Sequence, residues 1–138
     1  MKFLLKMKNI FLITAVLLYG FVYSQLDTLN YLKQFEANKV KYIGKPFSVL
    51  LNDMTQIQPK TNFSFSAFNN KNKRIYTDFN FVNKDYIRLN SITLSIYWQT
   101  PIPSNDIKSY QNKNKCVFTD DEKSFYGNKI IKDIKVYR

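Results

Sequence analysis

The spacing of apolar side chains changes near Asn62 from the period of a helix to that of a strand, and this change limits the fold more than any other feature. Upstream of it, four apolar residues recur at the spacing of one helix face: Phe47, Leu50, Leu51 and Met54. Downstream, apolar and polar residues alternate over several short runs, as in strands that bury one face. The order therefore predicts helices followed by antiparallel strands.

Two helices are predicted before the change of period. Asp27 can cap the first by accepting a hydrogen bond from an early backbone N–H, and Gly44 can end it in the left-handed conformation. Pro46 suits the first turn of the second helix, where its missing N–H is not needed. Because the connection is short, the two helices can share one apolar seam.

Three strands are predicted in the middle of the chain, over residues 62–68, 75–82 and 92–98. A polar loop over 69–73 would join the first two as a hairpin. Pro101 and Pro103 are expected to end the third strand, because proline cannot donate a hydrogen bond to a strand ladder.

The last third of the chain predicts a short helix and a final strand. Thr119 and Glu122 have capping-box spacing, which predicts a helix over 120–126 closed by Gly127. The stretch 104–115 before it fits either a short helix or an ordered loop.

The last strand is expected to place Ile130, Ile134 and Val136 on one face. Together these elements predict an α+β fold. Its N-terminal helix pair packs on one face of a twisted antiparallel sheet of about four strands, with a short helix before the last strand.

Residues 1–24 have the three parts of a bacterial-type secretion signal: a basic start, an apolar run and compatible residues before a cut. Val22 and Ser24 would precede cleavage at Gln25. A retained anchor is the alternative, but the apolar stretch is shorter than the roughly 20 residues that span a bilayer. We therefore expect a cleaved signal, one α+β domain over 25–138 without a membrane span, and a secreted or periplasmic location.

The composition disfavours most enzyme chemistry. The chain has no histidine and one cysteine, Cys116, so it lacks the commonest general base and cannot form a thiol–imidazole pair. The acidic group of Asp120, Asp121 and Glu122 is better explained by helix capping than by metal binding. We expect no catalytic residue, no metal site and no cofactor, with a carboxylate-only hydrolase as the remaining enzymatic alternative.

The setting of Cys116 predicts a buried thiol. Cys116, Val117 and Phe118 form a short apolar run. If Val117 faces outward, its two neighbours face the core.

Two groups of residues are candidates for binding. Tyr76, Tyr97 and Trp98 could form a stacking surface for a partner, or could pack in the core. The net charge is +11 for the whole chain and +8 once the three lysines of the expected signal are removed, which would attract polyanions such as nucleic acid, lipopolysaccharide or acidic polysaccharides. The candidate anion-binding residues are Lys71, Lys73, Arg74, Lys129, Lys132 and Lys135, although scattered lysines also occur simply as a solvated surface.

Two segments carry a resemblance: residues 41–53, KYIGKPFSVLLND, and residues 125–138, FYGNKIIKDIKVYR. They resemble small uncharacterised secreted proteins of Bacteroidetes-type bacteria, a grouping that implies export but no activity. Two helices followed by antiparallel strands are also similar in order to one repeat of the beta-lactamase-inhibitor-protein type, found in periplasmic binding and assembly proteins. The short helix before the last strand departs from that order.

The function expected from the sequence is a secreted or periplasmic, non-catalytic interaction domain. It would present a sheet face or the hairpin loop to a protein or to a cell-envelope component. A binder of anionic polymers is the first alternative, and the carboxylate-only hydrolase is the second.

Overall fold

The computed structural model describes Met1, Phe3, Leu4, Met7 and residues 26–138. Except for these four N-terminal residues, the expected signal and its cleavage site lie outside the described residues. Within the described part of the chain, no helix has both the length and the apolar character needed to cross a membrane.

Within residues 26–138, the structure contains four helices and a four-stranded antiparallel sheet, which confirms the α+β class. The helices are α1 (Thr28–Ala37), α2 (Phe47–Asp53), α3 (Ser104–Asn114) and α4 (Asp120–Gly127). The strands are β1 (Thr61–Ala67), β2 (Asn70–Asn80), β3 (Thr93–Pro103) and β4 (Ile131–Tyr137), and they neighbour one another in chain order. Short 3₁₀ turns lie at Lys39–Lys41 and Lys84–Tyr86.

The core lies between the helices and one face of the sheet. From α2, the ring of Phe47 lies 4.8 Å from that of Phe79 on β2 and 5.7 Å from that of Trp98 on β3. Leu32 of α1 and Tyr126 of α4 are buried in the same cluster. All four helices therefore contribute to one core on one side of the sheet, α3 through Ile107.

The apolar stripe of α2 is buried as its spacing predicts. Phe47, Leu50, Leu51 and Met54 are each at most 2% exposed. Pro46 lies just before the helix in an extended conformation, and the helix begins at Phe47.

The first helix is shorter than predicted, because it ends at Ala37 and not at Gly44. The backbone N–H of Asn38 and its side-chain amide both donate to the carbonyl of Gln34, which satisfies the last turn. Val40 is consequently 85% exposed and does not continue the apolar face.

Gly44 has a different role from the one predicted. It adopts a φ of +77° in the connection between the helices, and its N–H donates to the carbonyl of Ile131. The N–H of Ile131 donates in turn to the carbonyl of Lys45. The connection is thus hydrogen-bonded to the start of β4.

The hairpin between β1 and β2 is tighter than predicted. The turn consists of Phe68 and Asn69, and β2 already begins at Asn70, which pairs with Ala67. The expected loop over 69–73 is therefore mostly strand. Register shifts near Ser66 make this end of the hairpin irregular.

The third strand continues through both of its prolines, so the prediction that they end it is wrong. The N–H of Gln99 points towards β4, where it donates to the carbonyl of Ile130. Both prolines lie beyond the first residue of β4, where β3 pairs with β2 alone. Proline is tolerated in a strand that is unpaired on one side.

The remaining elements differ in how closely they follow the sequence pattern. The stretch 104–115 is a helix, with Ile107 fully buried. The capping box of Thr119 and Glu122 is confirmed, as is the short helix that follows it. The first residue of β4 in the core is Ile131, not Ile130 as expected. One extra residue, Lys132, interrupts the pairing of β4 with β3 and shifts the alternation of side chains there.

Cys116 is half-buried, so the expected full burial of the thiol is wrong. Cys116 has a φ of 66°, which departs from an extended strand, and only Val117 forms a bridge, to Thr61. Val117 is exposed and Phe118 packs against Phe79, as the alternation predicts. Burial nevertheless raises the pKa of the Cys116 thiol above its ordinary value.

Candidate binding surface on the sheet

The face of the sheet opposite the core, here called the outer face, combines aromatic and charged side chains. Strand alternation and register define it, since paired residues lie on the same face. One row across the four strands is Phe65, Tyr76, Tyr97 and Asp133, and the next is Phe63, Asp78, Ser95 and Lys135. Phe65 is 41% exposed and both tyrosines are half-buried, so this face reaches solvent.

Three rings on the outer face stack across three strands, and we call them the aromatic ladder. The ring centroids of Phe65 and Tyr76 lie 5.1 Å apart at an interplanar angle of 16°. Those of Tyr76 and Tyr97 lie 5.0 Å apart at 25°. Lys135 places its Nζ 4.9 Å from the centre of the Tyr97 ring and so covers one end of the ladder. Such cross-strand pairs hold their rings in fixed positions.

Asp78 lies beside the ladder and accepts two hydrogen bonds. One comes from the hydroxyl of Ser95 and the other, at 3.1 Å, from the hydroxyl of Tyr137. Burial raises the pKa of Asp78, and the two hydrogen bonds only partly oppose that rise. Burial also raises the pKa of Tyr76, and the Asp78 carboxylate adds to this effect. The outer face therefore holds a partly desolvated carboxyl group.

A second carboxylate on this face, Asp133, is already engaged. Lys39 donates to it from 2.6 Å, and the N–H of Ile134 donates to the same oxygen. Burial alone would raise the pKa of Asp133, but these partners lower it below the ordinary value. Asp133 is therefore held in an ion pair with Lys39. An open pocket elsewhere is lined by residues 87–90 and includes no carboxylate.

Trp98 is not part of the outer face. It is 2% exposed, and its ring nitrogen donates to the hydroxyl of Thr77 in the core. Its ring stacks on Tyr126 at 5.7 Å. The expectation that it shares a surface with Tyr97 is wrong, because adjacent residues of a strand point to opposite faces.

The six candidate anion-binding residues do not form one patch. Lys71, Lys73 and Arg74 belong to the first residues of β2, whereas the other three lie on or next to β4, on the far side of β3. The latter also diverge, because Lys135 covers Tyr97 while Lys129 lies over the ring of Phe125 on α4. Lys132 is exposed at the register shift of β4.

The sequence pattern missed Phe65 and Asp78 as members of a candidate site. Alternation along each strand places both residues on the same face of the sheet as Tyr76 and Tyr97, so this pattern could have indicated them. What the sequence lacked was the register, which decides that Phe65 meets Tyr76 rather than another residue of β2.

No protein-family model, curated protein or solved structure matches this chain. Across residues 26–138 and the four described N-terminal positions, no group of three or more potential metal-ligating side chains lies together. The geometry of the outer face is consequently the main guide to function.

Proposed function

We propose that this protein is an exported, non-catalytic binding domain whose outer sheet face contacts its partner. The observation that carries the proposal is the aromatic ladder on a face that is partly open to solvent. The core on the other side already contains Phe47, Phe79, Trp98 and Tyr126, so the fold buries large rings without the ladder. Three further aromatic residues aligned on the opposite face are better suited to recognition.

The ladder is also organised for binding. Its rings are stacked before a partner arrives, so little side-chain freedom remains to be lost on association. Tyr137 is 47% exposed and extends the aromatic surface next to Asp78. Lys135 and Asp78 add charge, which favours a partner with polar groups around an apolar centre.

Export is the part of the proposal that rests on the sequence. The expected signal over 1–24 and the resemblance to secreted bacterial proteins both support a secreted or periplasmic location. The partner would accordingly be a protein or another component of the cell envelope.

Site-specific photo-crosslinking in the producing cells tests this proposal. A photoreactive benzoyl-phenylalanine in place of Tyr97 is expected to form a discrete adduct with the partner. The same residue in place of Leu89, which is fully exposed on the 87–90 loop, is the matched control and should form none. Adducts from position 89 but not from position 97, or from neither, would contradict the proposal.

A further inference from the structure

The two edge strands of the sheet, β1 and β4, differ in how their outward-facing N–H groups are protected. At the β4 edge, Glu36 accepts a hydrogen bond from the N–H of Val136, and Asp133 accepts one from the N–H of Ile134. Strand β4 also carries Lys132 and Lys135. Charged residues and side chains that occupy edge N–H groups are the usual protection against pairing with another chain.

The β1 edge is covered only at its start. The N–H of Phe118 donates to the carbonyl of Lys60, and the N–H of Asn62 donates to the carbonyl of Cys116. Lys115 and Cys116 then have φ values of 52° and 66°, so the covering segment does not continue as a strand alongside β1.

Beyond Asn62, no strand pairs with the outer edge of β1 within residues 26–138. Because the N–H of Asn62 points away from β2, alternation directs the N–H of Ser64, which lies in the regular part of the β1–β2 register, the same way. No backbone group outside the sheet accepts a hydrogen bond from that N–H within the same residues. Strand β1 has no charged residue and no proline, so it lacks the protection that β4 has.

We propose that the free edge of β1, from Phe63 to Ala67, binds an extended segment of a partner protein as a fifth strand. This inference rests on the proposed function, because it assigns the partner of the outer face a conformation and a position. Added strands gain affinity from main-chain hydrogen bonds and specificity from alternate side chains. An aromatic side chain opposite Phe65 would extend the aromatic ladder by one ring.

The charge around this edge indicates an acidic partner segment. Residues 54–77 contain Lys60, Lys71, Lys73 and Arg74 but no aspartate or glutamate. None of these four takes part in the ion pairs described for residues 26–138. The nearby carboxylate of Asp78, opposite Phe63, already accepts hydrogen bonds from Ser95 and Tyr137. A second copy of the chain would bring the same cations against one another, so an acidic, aromatic-containing strand is the better complement.

A designed peptide tests the edge directly. The probe is a capped eight-residue peptide in which phenylalanine alternates with glutamate and threonine, added to the exported protein. We expect binding, with amide chemical-shift changes concentrated on Phe63–Ala67. Methylating the alternate backbone nitrogens on one peptide edge should weaken binding at least tenfold, because main-chain donors are then lost. Lysine in place of glutamate should also weaken it at least tenfold at low salt.

Protein variants locate the site. Ser64→Pro removes the N–H that points to the free edge and is expected to weaken peptide binding at least tenfold. Ser64→Ala loses the same hydroxyl but keeps this N–H, so it should bind within about twofold of the original protein. Phe65→Lys should weaken binding as Ser64→Pro does, whereas Phe68→Lys makes the same chemical change in the adjacent turn and should bind within about twofold of the original protein. Thermal unfolding of each variant verifies that the fold is retained.

The outcomes separate this inference from the proposed function. If crosslinks from position 97 persist but peptide binding is absent, or is unaffected by N-methylation and by Ser64→Pro, the edge inference is overturned and the outer-face function stands. A dimer of the exported protein that Ser64→Pro dissociates would also overturn it, because the occupant is then a second copy. Edge binding without crosslinks at position 97 would support the inference and contradict the outer-face proposal.

Discussion

Lys115 adopts a backbone conformation whose strain can be measured as a change in the free energy of unfolding. It follows α3 in the left-handed conformation, with a φ of 52°, and its N–H donates to the carbonyl of Gln111. A residue with a Cβ is strained there, whereas glycine is not. We expect Lys115→Gly to raise the free energy of unfolding by up to about 1 kcal/mol in chemical denaturation.

The matched control for Lys115 lies within the same helix. Lys108 is also exposed but has helical dihedral angles, so Lys108→Gly should lower the free energy of unfolding by about 1 kcal/mol. A loss of stability in both variants would show that the left-handed conformation of Lys115 is not strained.

Asp78 should make stability depend on pH in an unusual direction. Its pKa in the folded protein is raised above the ordinary value of 3.8, mainly by burial. Protonation therefore favours the folded state, and the stability that it contributes is lost as pH rises through the folded pKa. The difference in unfolding free energy between the original protein and Asp78→Asn should fall as pH rises from below 3.8.

The difference between those two proteins is the quantity to measure, since other carboxyl groups act in the opposite direction. Asp53, paired with Lys41 and Tyr42, has a lowered pKa, so its contribution is lost as pH falls. Both proteins share this contribution, and subtraction removes it. A difference that rises with pH would contradict the assignment for Asp78.

Among the helices, α2 buries every residue of its apolar stripe. Leu50 is fully buried at its centre, so Leu50→Ala should lower the free energy of unfolding by roughly 2 to 5 kcal/mol through lost burial and a residual cavity. Asn52, exposed on the same helix, provides the control, and Asn52→Ala should change stability by less than about 0.5 kcal/mol. Equal effects in denaturant unfolding would show that the stripe is not packed.

The elements that the sequence predicts well are those whose signals are local. The stripe of α2 and the capping box of α4 depend on residues within one or two turns of each other. The end of α1 was predicted less well, because Asn38 competes with Gly44 as a terminator and Gly44 serves a contact with β4. The extension of β3 past its prolines depends on where β4 begins, which is a tertiary property.

In the candidate site, too, features set by the local sequence are predictable and those set by tertiary structure are not. Alternation in β2 and β3 is local, so it correctly places Tyr76 and Tyr97 on the same face of neighbouring strands. Grouping Trp98 with them by residue type ignored its opposite phase. The free edge of β1 could not be predicted at all, because it depends on which segment covers Lys60 and Asn62 and where that segment turns away.

At the scale of the whole molecule, positive charge is spread over separate regions and should give only weak attraction to polyanions. The cations of β2 and those near β4 lie on opposite sides of β3, so a polyanion cannot neutralise them as one patch. We expect retention on heparin at low salt and elution near about 0.15 M salt, where exposed charges are screened over roughly 8 Å. Retention that persists well above that concentration would revive the polyanion-binding alternative.

Export is the remaining proposal about the whole molecule, and the mass of the released protein tests it. Signal peptidases require small residues just before the cut, a condition that Ser24 meets and leucine does not. Released protein should therefore begin at Gln25, in part with that residue cyclised by loss of ammonia, and Ser24→Leu should leave uncut chain in the cells. Gln25→Ala, just beyond the cut, should still be processed. Because Asp27 caps α1, a cut at Gln25 leaves the first helix with its cap. Released protein that retains Met1 in intact-mass measurement would contradict the signal and, with it, the basis for placing the outer-face partner outside the cytoplasm.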